Sequence, residues 1–354
     1  MTAARFLSLT GAAVPIVQAP MAGAGGVPLA AAAMRGGALG SLPCGMLTPA
    51  QVAEQASALR DATDASFNLN FFCHPLPSPP DETQWRALLE PLYDEEGVSA
   101  AAPPPLRRPF DDALCAAVET VRPAVVSFHF GLPAPELVAR VRATGARIFG
   151  NATSVPEARW LAAQGCDAII AQGAEAGGHA GWFLDRHVPA PLARLLPAIV
   201  DAVDVPVIAA GGIVDERDLC AALAAGAAAV QIGTAYLAAP ESSIAAPHRA
   251  LIGTAESADT AFTNLFSGRA ARGIRNRLMR RLGDWHPAAP PFPYASAALA
   301  PLRAHAEADG RGDYSPLWAG AGAPRARPDR AEDYTRRMAE AARHWIATQQ
   351  RNSQ

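Results

Sequence analysis

At 354 residues, half of them hydrophobic, the chain can bury one large core, alone or beside a smaller one. Its formal charge of −3 and pI near 6.2 leave it without the basic face that nucleic acid binding draws on. All 30 basic residues are arginine, so Schiff-base aldolases, pyridoxal-phosphate enzymes and nucleotidases with a phosphate-loop lysine are excluded.

The opening "MTAARFLSLT" has no apolar stretch long enough for a secretory signal. Eight short apolar runs then alternate with Ala-rich helical stretches. They are Val14–Ala19, Ala38–Leu42, Phe67–Phe72, Ala124–Phe130, Arg147–Ala152, Ala168–Gln172, Pro206–Ala210 and Ala228–Ile232. Helices are expected to start near Pro28, Pro49, Pro135, Pro156, Pro189 and Asp215, since proline is favoured in a first helical turn. Eight strands with helical crossovers predict an α/β fold, a (β/α)8 TIM barrel, over residues 1–252. The crossover 74–122 is irregular, because "HPLPSPP" and "AAPPPLRRP" interrupt it, with helices expected near Gln84 and Asp111. Residues 218–240 are long and almost uncharged, but Gly226, Gln231 and Gly233 divide them into a helix and a strand, so no membrane span is expected. Past Pro240 the alternation stops. Residues 253–329, with a dense arginine cluster and the break "HPAAPPFP", read as a smaller, mainly helical substrate or lid domain, and 330–354 as a helix packing back on the barrel.

Five cysteines, at 44, 73, 115, 166 and 220, are odd in number and never spaced C-x-x-C. That pattern favours reduced thiols and a cytoplasmic setting, with no metal site.

Barrel chemistry belongs at the carboxyl ends of the strands, with phosphate often held after strands seven and eight. Those two strands end "IAAGGIVD" and "VQIGTAYL", so Gly211, Gly212, Gly233 and Thr234 leave backbone N–H groups open to an anion. The sixth strand runs into "GAEAGGH": Gly177 and Gly178 lack bulk and His179 follows them, with a solvent-facing loop histidine as the bland alternative. The first strand ends in Ala19, Pro20 and Met21, where a flat ring could lie. Asn68 and Asn70 share one strand face, as do Ser127 and His129. The arginines from 269 to 281 read either as an anion funnel, with Arg269 and Arg272 nearest the site, or as a solvated, ion-paired face.

Taken in order, "QAPMAG", "NFFCH", "SFHFG", "GAEAGGH", "AAGGI", "GTAY" and "SGRAARG" resemble the FMN-dependent nitronate monooxygenases over nearly the entire chain. The resemblance implies FMN at the strand ends, with Pro20, Met21, Asn70 and Gln172 on the isoalloxazine and Gly212, Gly233 and Thr234 on the phosphate. Ala19, Gly177, Gly178 and Gly211 complete that set. It also implies His179 as the catalytic residue facing the flavin. Ser127 and His129, from their shared strand face, and Arg272, from the arginine cluster, are expected toward the substrate. The reaction it implies is oxidation of an alkyl nitronate, such as propionate-3-nitronate, by O2 through one-electron transfer to FMN, giving a carbonyl product and nitrite. Two departures stand out: Ala180 where many members carry arginine, and Ala321 where many carry glutamine. The nearest rival keeps barrel and FMN but takes electrons from NAD(P)H, as a quinone or enoyl-acyl-carrier-protein reductase would. A further rival is a flavin-free barrel acting on a phosphate ligand.

Overall fold

The computed structural model describes residues 2–99 and 106–352; part of the proline-rich crossover, 100–105, lies outside the described residues. The strands are β1 (Ile16–Gln18), β2 (Gly40–Pro43), β3 (Phe67–Phe72), β4 (Val125–His129), β5 (Arg147–Ala152), β6 (Ala168–Gln172), β7 (Gly178–His179), β8 (Val207–Ala210), β9 (Ala229–Ile232), β10 (Thr260–Thr263) and β11 (Ala271–Ile274). Eight of them form one parallel sheet in the order β1-β9-β8-β6-β5-β4-β3-β2. A bridge between Val17 and Leu39, just ahead of β2, closes the ring into a (β/α)8 barrel. The helices up to the last barrel strand are α1 (Thr2–Thr10), α2 (Val27–Arg35), α3 (Pro49–Ala62), α4 (Thr83–Glu96), α5 (Asp112–Val121), α6 (Pro135–Ala143), α7 (Val155–Ala163), α8 (Leu192–Val200) and α9 (Glu216–Ala224), and all but α1 and α4 cover the outside of the barrel. After the barrel come α10 (Thr234–Leu237), α11 (Ala246–Leu251), α12 (Arg277–Leu282), α13 (Ser296–Ala308) and α14 (Ala331–Asn352).

Local chemistry explains where the helices begin. Thr48 and Gln51 form a reciprocal capping box at α3, Ser154 caps α7 and Asp215 caps α9, each side chain accepting from a first-turn N–H. Proline occupies the first turn of α2, α3, α6 and α7, where its missing N–H costs nothing.

One end of the barrel is sealed. Phe6 of α1 is fully buried among Val17, Leu39, Val125, Phe149 and Ile208, its ring centroid 6.5 Å from that of Phe149. With the amino-terminal end filled, open space is left at the carboxyl ends of the strands.

The irregular crossover does more than return the chain to the barrel. Its helix α4 turns away and buries Trp85, Leu89 and Leu92 with Leu265, Leu278, Met279, Leu299, Leu302 and Tyr314, forming a second core. Trp85 is fully buried and donates its indole N–H to Ala295 O at 3.3 Å. Trp85→Ala is therefore expected to cost about 3–5 kcal/mol, read as a lowered urea midpoint.

Charge stitches the same layer together. The Glu96 side chain, 6% exposed, receives Arg311, Arg277 and the Tyr314 hydroxyl, and the Arg311 hydrogen bonds hold its carboxyl down to about 2. A carboxylate depressed in this way stabilises the fold above its unfolded pKa and loses that contribution as pH falls through the folded value. Between roughly pH 4.5 and 2 the wild type should lose thermal midpoint more steeply than Glu96→Gln, a difference that parallel pH melts would read.

Residues 253–329 are not purely helical. They carry the antiparallel pair β10–β11, to which β7 from the loop after β6 adds a third strand, with His179 opposite Ala271 and Gly178 opposite Arg272. A two-residue strand leaves almost no periodic signal, which is why pattern reading misses this join. The α14 helix packs on α9 and α2, where Tyr334 donates to Val214 O and the hydroxyls of Tyr236 and Thr335 pair at 2.7 Å. Among the described residues no helix is long and apolar enough to cross a membrane.

Candidate active site

A cavity of about 320 Å3 opens at the carboxyl ends of the strands, within the range of small-molecule sites. Ala19, Pro20 and Met21 after β1, Asn70 in β3, His129 in β4, Gln172 in β6 and Gly177, Gly178 and His179 beyond it all line this one space. Gly211 and Gly212 after β8, and Gly233 and Thr234 after β9, complete it. The floor is open because side chains are missing. At Gly233 an added Cβ would meet only Ala19 and Met21, at the ordinary contact distance of 3.6 Å. Thr234 Oγ1 accepts from Gly320 N at 2.9 Å, drawing the loop that carries Trp318, Gly320 and Gly322 over the same rim.

The polar wall is braced from behind. Asn70 Nδ2 donates to Ser127 Oγ at 2.9 Å, and Gln172 Oε1 receives Asn151 Nδ2 at 3.0 Å and Gly181 N at 2.8 Å. Gln172 Nε2 and His129 Nε2 converge on the carbonyl of His179, at 2.9 and 3.2 Å. Only glycine permits this approach at 181, since a Cβ there would lie 2.1 Å from Asn151 Nδ2.

His179 is thus held by its backbone on both sides. Its ring sits among Phe72, Phe130, Phe292 and Trp318, with centroids 5.3–6.2 Å away, and its Nε2 lies 2.9 Å from Ser267 Oγ. Burial first, then the nearby cations Arg107 and Arg269 and the neighbouring imidazoles His129 and His74, push its pKa well below the usual histidine range. Desolvation likewise lowers His74, His129 and His248 to about 4. At neutral pH the site holds neutral imidazoles beneath a positive field.

Two polar atoms of the wall are left without a partner. Arg107 Nη1 and His248 Nε2, both on cavity-lining residues, are buried polar atoms without a hydrogen-bond partner, a costly arrangement unless a ligand supplies one. Of the other two charged side chains on the wall, Arg303 and Glu307 pair with each other at 2.8 Å. Arg269 stands behind the wall, its guanidinium 4.2 Å from the ring centroids of both Phe130 and Trp182.

A family model described as "Nitronate monooxygenase" matches residues 5–331. The nitronate monooxygenase of Pseudomonas aeruginosa is 39% identical over 355 residues, 96% of this chain and 99% of that protein. That of Paraburkholderia phytofirmans is 41% identical over 91% of this chain and 90% of its own. The chain belongs to the nitronate monooxygenase family. Among solved structures, a nitroalkane oxidase from Streptomyces ansochromogenes superposes with a TM-score of 0.89 at 36% identity, covering 97% of this chain and 99% of that one. FabK from Thermotoga maritima follows at a TM-score of 0.75 and 26% identity, covering 98% of each chain.

Two residues expected toward the substrate, one from strand alternation and one from the arginine cluster, lie off the cavity wall. Ser127 is buried behind it, receiving Asn68 and Asn70 at 2.9 Å each, so it orients the asparagine that does face the cavity. Arg272 leaves β11 on the other side: it donates to Ala174 O at 2.8 Å and Thr260 Oγ1 at 3.1 Å and lies over Phe262. The rest of the cluster is spent on ion pairs, Arg275 with Asp259 and Asp284, Arg277 and Arg281 with Glu95, and Arg280 with Asp259, so no funnel forms. Glu175 accepts from Leu192 N at 2.9 Å at the start of α8. Sequence reading passed over Arg107, Asn151, His248, Ser267 and Phe292. Arg107 sits in an aperiodic proline tract and carries no local signal, whereas Ser267 lies inside the quoted "SGRAARG".

Proposed function

We propose that this protein oxidises alkyl nitronates with O2 to a carbonyl product and nitrite, with FMN held in the glycine-floored cavity. The observation that carries this reading is the convergence of that bare floor with the neutral imidazole of His179 and the Arg107 guanidinium, whose Nη1 has no partner, in one pocket of a chain of the nitronate monooxygenase family. The cavity suits a flavin because its floor is missing side chains where a flat ring needs room: a Cβ at Gly23 or Gly178 would stand in open space. Ala19, Pro20, Met21, Asn70 and Gln172 would hold the ring, and Gly211, Gly212, Gly233 and Thr234 the phosphate, with Gly177 and Gly178 keeping the edge clear. When bound, the flavin supplies the electron acceptor and the partner for O2.

The chain's own residues have a narrower task. A nitronate is already a carbanion equivalent, so no strong base is required; what the protein adds is position and field. His179 meets the nitro oxygens with a ring nitrogen, and Arg107 adds the positive charge that draws an anion out of water into the aromatic enclosure. Phe72 and Trp318 on the wall, with Phe292 packed on the His179 ring, keep water from competing for both. His129 serves by fixing the His179 backbone.

Anaerobic mixing tests the reading. Flavin bleaching with ethylnitronate and none with NADH is expected, with FMN released on heating. Bleaching by NADH alone would transfer the activity to the reductase class, and a protein that takes up no flavin would end the proposal.

A further inference from the structure

Ser267 is unaccounted for by cofactor or substrate contact, yet it is 1% exposed and sits directly behind the His179 imidazole. The turn that carries it is rigid. Gly268 N donates to Asn264 O at 2.7 Å, both polar ends of the Asn264 amide are tied to the His286 backbone, and a Cβ on Gly268 would fall 2.1 Å from Pro290 O. The hydroxyl therefore has a fixed address. It has two partners there: His179 Nε2 at 2.9 Å and the Arg269 carbonyl at 3.3 Å.

A hydroxyl carries one hydrogen, so these two contacts are alternatives for it. If the hydrogen goes to Arg269 O, Nε2 must carry a proton and Nδ1 is left as a bare lone pair. If it goes to Nε2, the neutral ring keeps its proton on Nδ1. The 2.9 Å contact is made in either arrangement, so the longer one decides: 3.3 Å lies beyond the span of about 2.5–3.0 Å usual for O–H···O hydrogen bonds, which makes Arg269 O the poorer acceptor and leaves the hydroxyl hydrogen to Nε2. Nδ1 makes no hydrogen bond to a described residue and is not among the sealed, unpartnered polar atoms, so it opens on the cavity.

Resting on the nitronate reading above, we propose that Ser267 is a positioning residue: by donating to Nε2 it makes neutral His179 present an Nδ1–H to the nitronate. The alternative route to such a donor is an imidazolium. The groups facing the ring oppose that: Arg107 from the loop before α5, Arg269 from the turn before β11, His129 from β4 and His74 after β3, with no carboxylate among them. Nitronate oxygens are acceptors only, so a bare Nδ1 would repel them. The serine resolves the conflict without adding charge, and no bond other than hydrogen bonds changes.

Ser267→Ala, compared with wild type as flavin-loaded protein, tests this. In wild type kcat/KM for preformed ethylnitronate should be flat between about pH 6 and 9, because the donor does not titrate there. The variant should be about 10- to 100-fold slower, mainly through KM, at every pH in that range, because only a fraction of its neutral imidazole then carries the proton on Nδ1. Histidine 15N spectra supply a reading independent of turnover: wild type should show a protonated Nδ1 and a bare, hydrogen-bonded Nε2, and the alanine variant a mixture of tautomers. A proton on Nε2 in wild type, or a variant with unchanged KM, overturns the proposal. Failure of wild type itself to be reduced by ethylnitronate would instead remove the functional reading on which it rests.

Discussion

Replacing His179 with alanine is expected to lower kcat/KM for ethylnitronate by about 10²- to 10⁴-fold, the span over which removal of a positioned acid, base or donor usually acts. Flavin absorbance should survive, because the ring reaches the cavity from β7 while the residues proposed for the flavin belong mostly to the barrel rim. Asparagine at 179 keeps an N–H donor and should recover part of the loss, which a pure cavity effect would not allow. The pH signature separates this residue from a conventional base. A histidine near pKa 6.5 would print a limb on the profile around neutrality, whereas His179, held far lower by burial and two arginines, should leave it flat. Stability carries the opposite mark. With His74, His129 and His248 near 4 and His179 also depressed, the unfolded chain binds protons that the folded one refuses once pH drops below about 6.5, so the fold weakens from there downward. That window lies above the one governed by Glu96, and the two can be told apart in a single set of melts.

The barrel was readable because each strand is a short, doubly covered apolar run, and burial on both faces leaves an uninterrupted stretch between turn residues. Phe67–Phe72, Arg147–Ala152 and Ala168–Gln172 coincide with observed strands from end to end, and other boundaries move by one or two residues where a strand outruns its hydrogen-bonded partner. Glycines at the strand ends were legible for the same reason: nothing else explains bareness beside a buried strand. The support of the site was not. Phe292, Trp318 and Ser267 reach His179 across separations that no local period encodes, and Trp318 is placed by packing against the second core formed by α4, α12 and α13. Arg272 misled because sequence shows a charge near a motif but not which side of a two-strand ladder it leaves from. A register of one residue decides between cavity and brace.

Gly233→Val is the sharper test of the cavity itself. Most glycine substitutions at this rim would confuse two effects, since at Gly177 an added Cβ would strike the Gly320 backbone at 2.5 Å, and at Gly211 and Gly212 the backbone lies at φ +117 and +72, where branched residues are strained. Gly233 differs: its φ is −110 and its nearest neighbours lie at 3.6 Å, so the fold can accept a side chain. What the valine would occupy is the floor of the cavity, beside Ala19 and Met21. The apo protein should therefore melt within a degree or two of wild type, as neutral surface substitutions do. Its FMN dissociation constant should nevertheless rise by about 100-fold or more, equivalent to about 2.7 kcal/mol. If flavin affinity were unchanged, the cofactor would have to sit elsewhere on the rim, and Thr234 and Gly320 would be holding each other for structural reasons only. If the apo fold collapsed as well, the openness at 233 would belong to folding and not to binding. Serine at the same position offers a graded control: a smaller side chain with a hydroxyl should weaken FMN less than valine, so the ordering Gly, Ser, Val in affinity, at constant apo stability, would tie the loss to occupied volume.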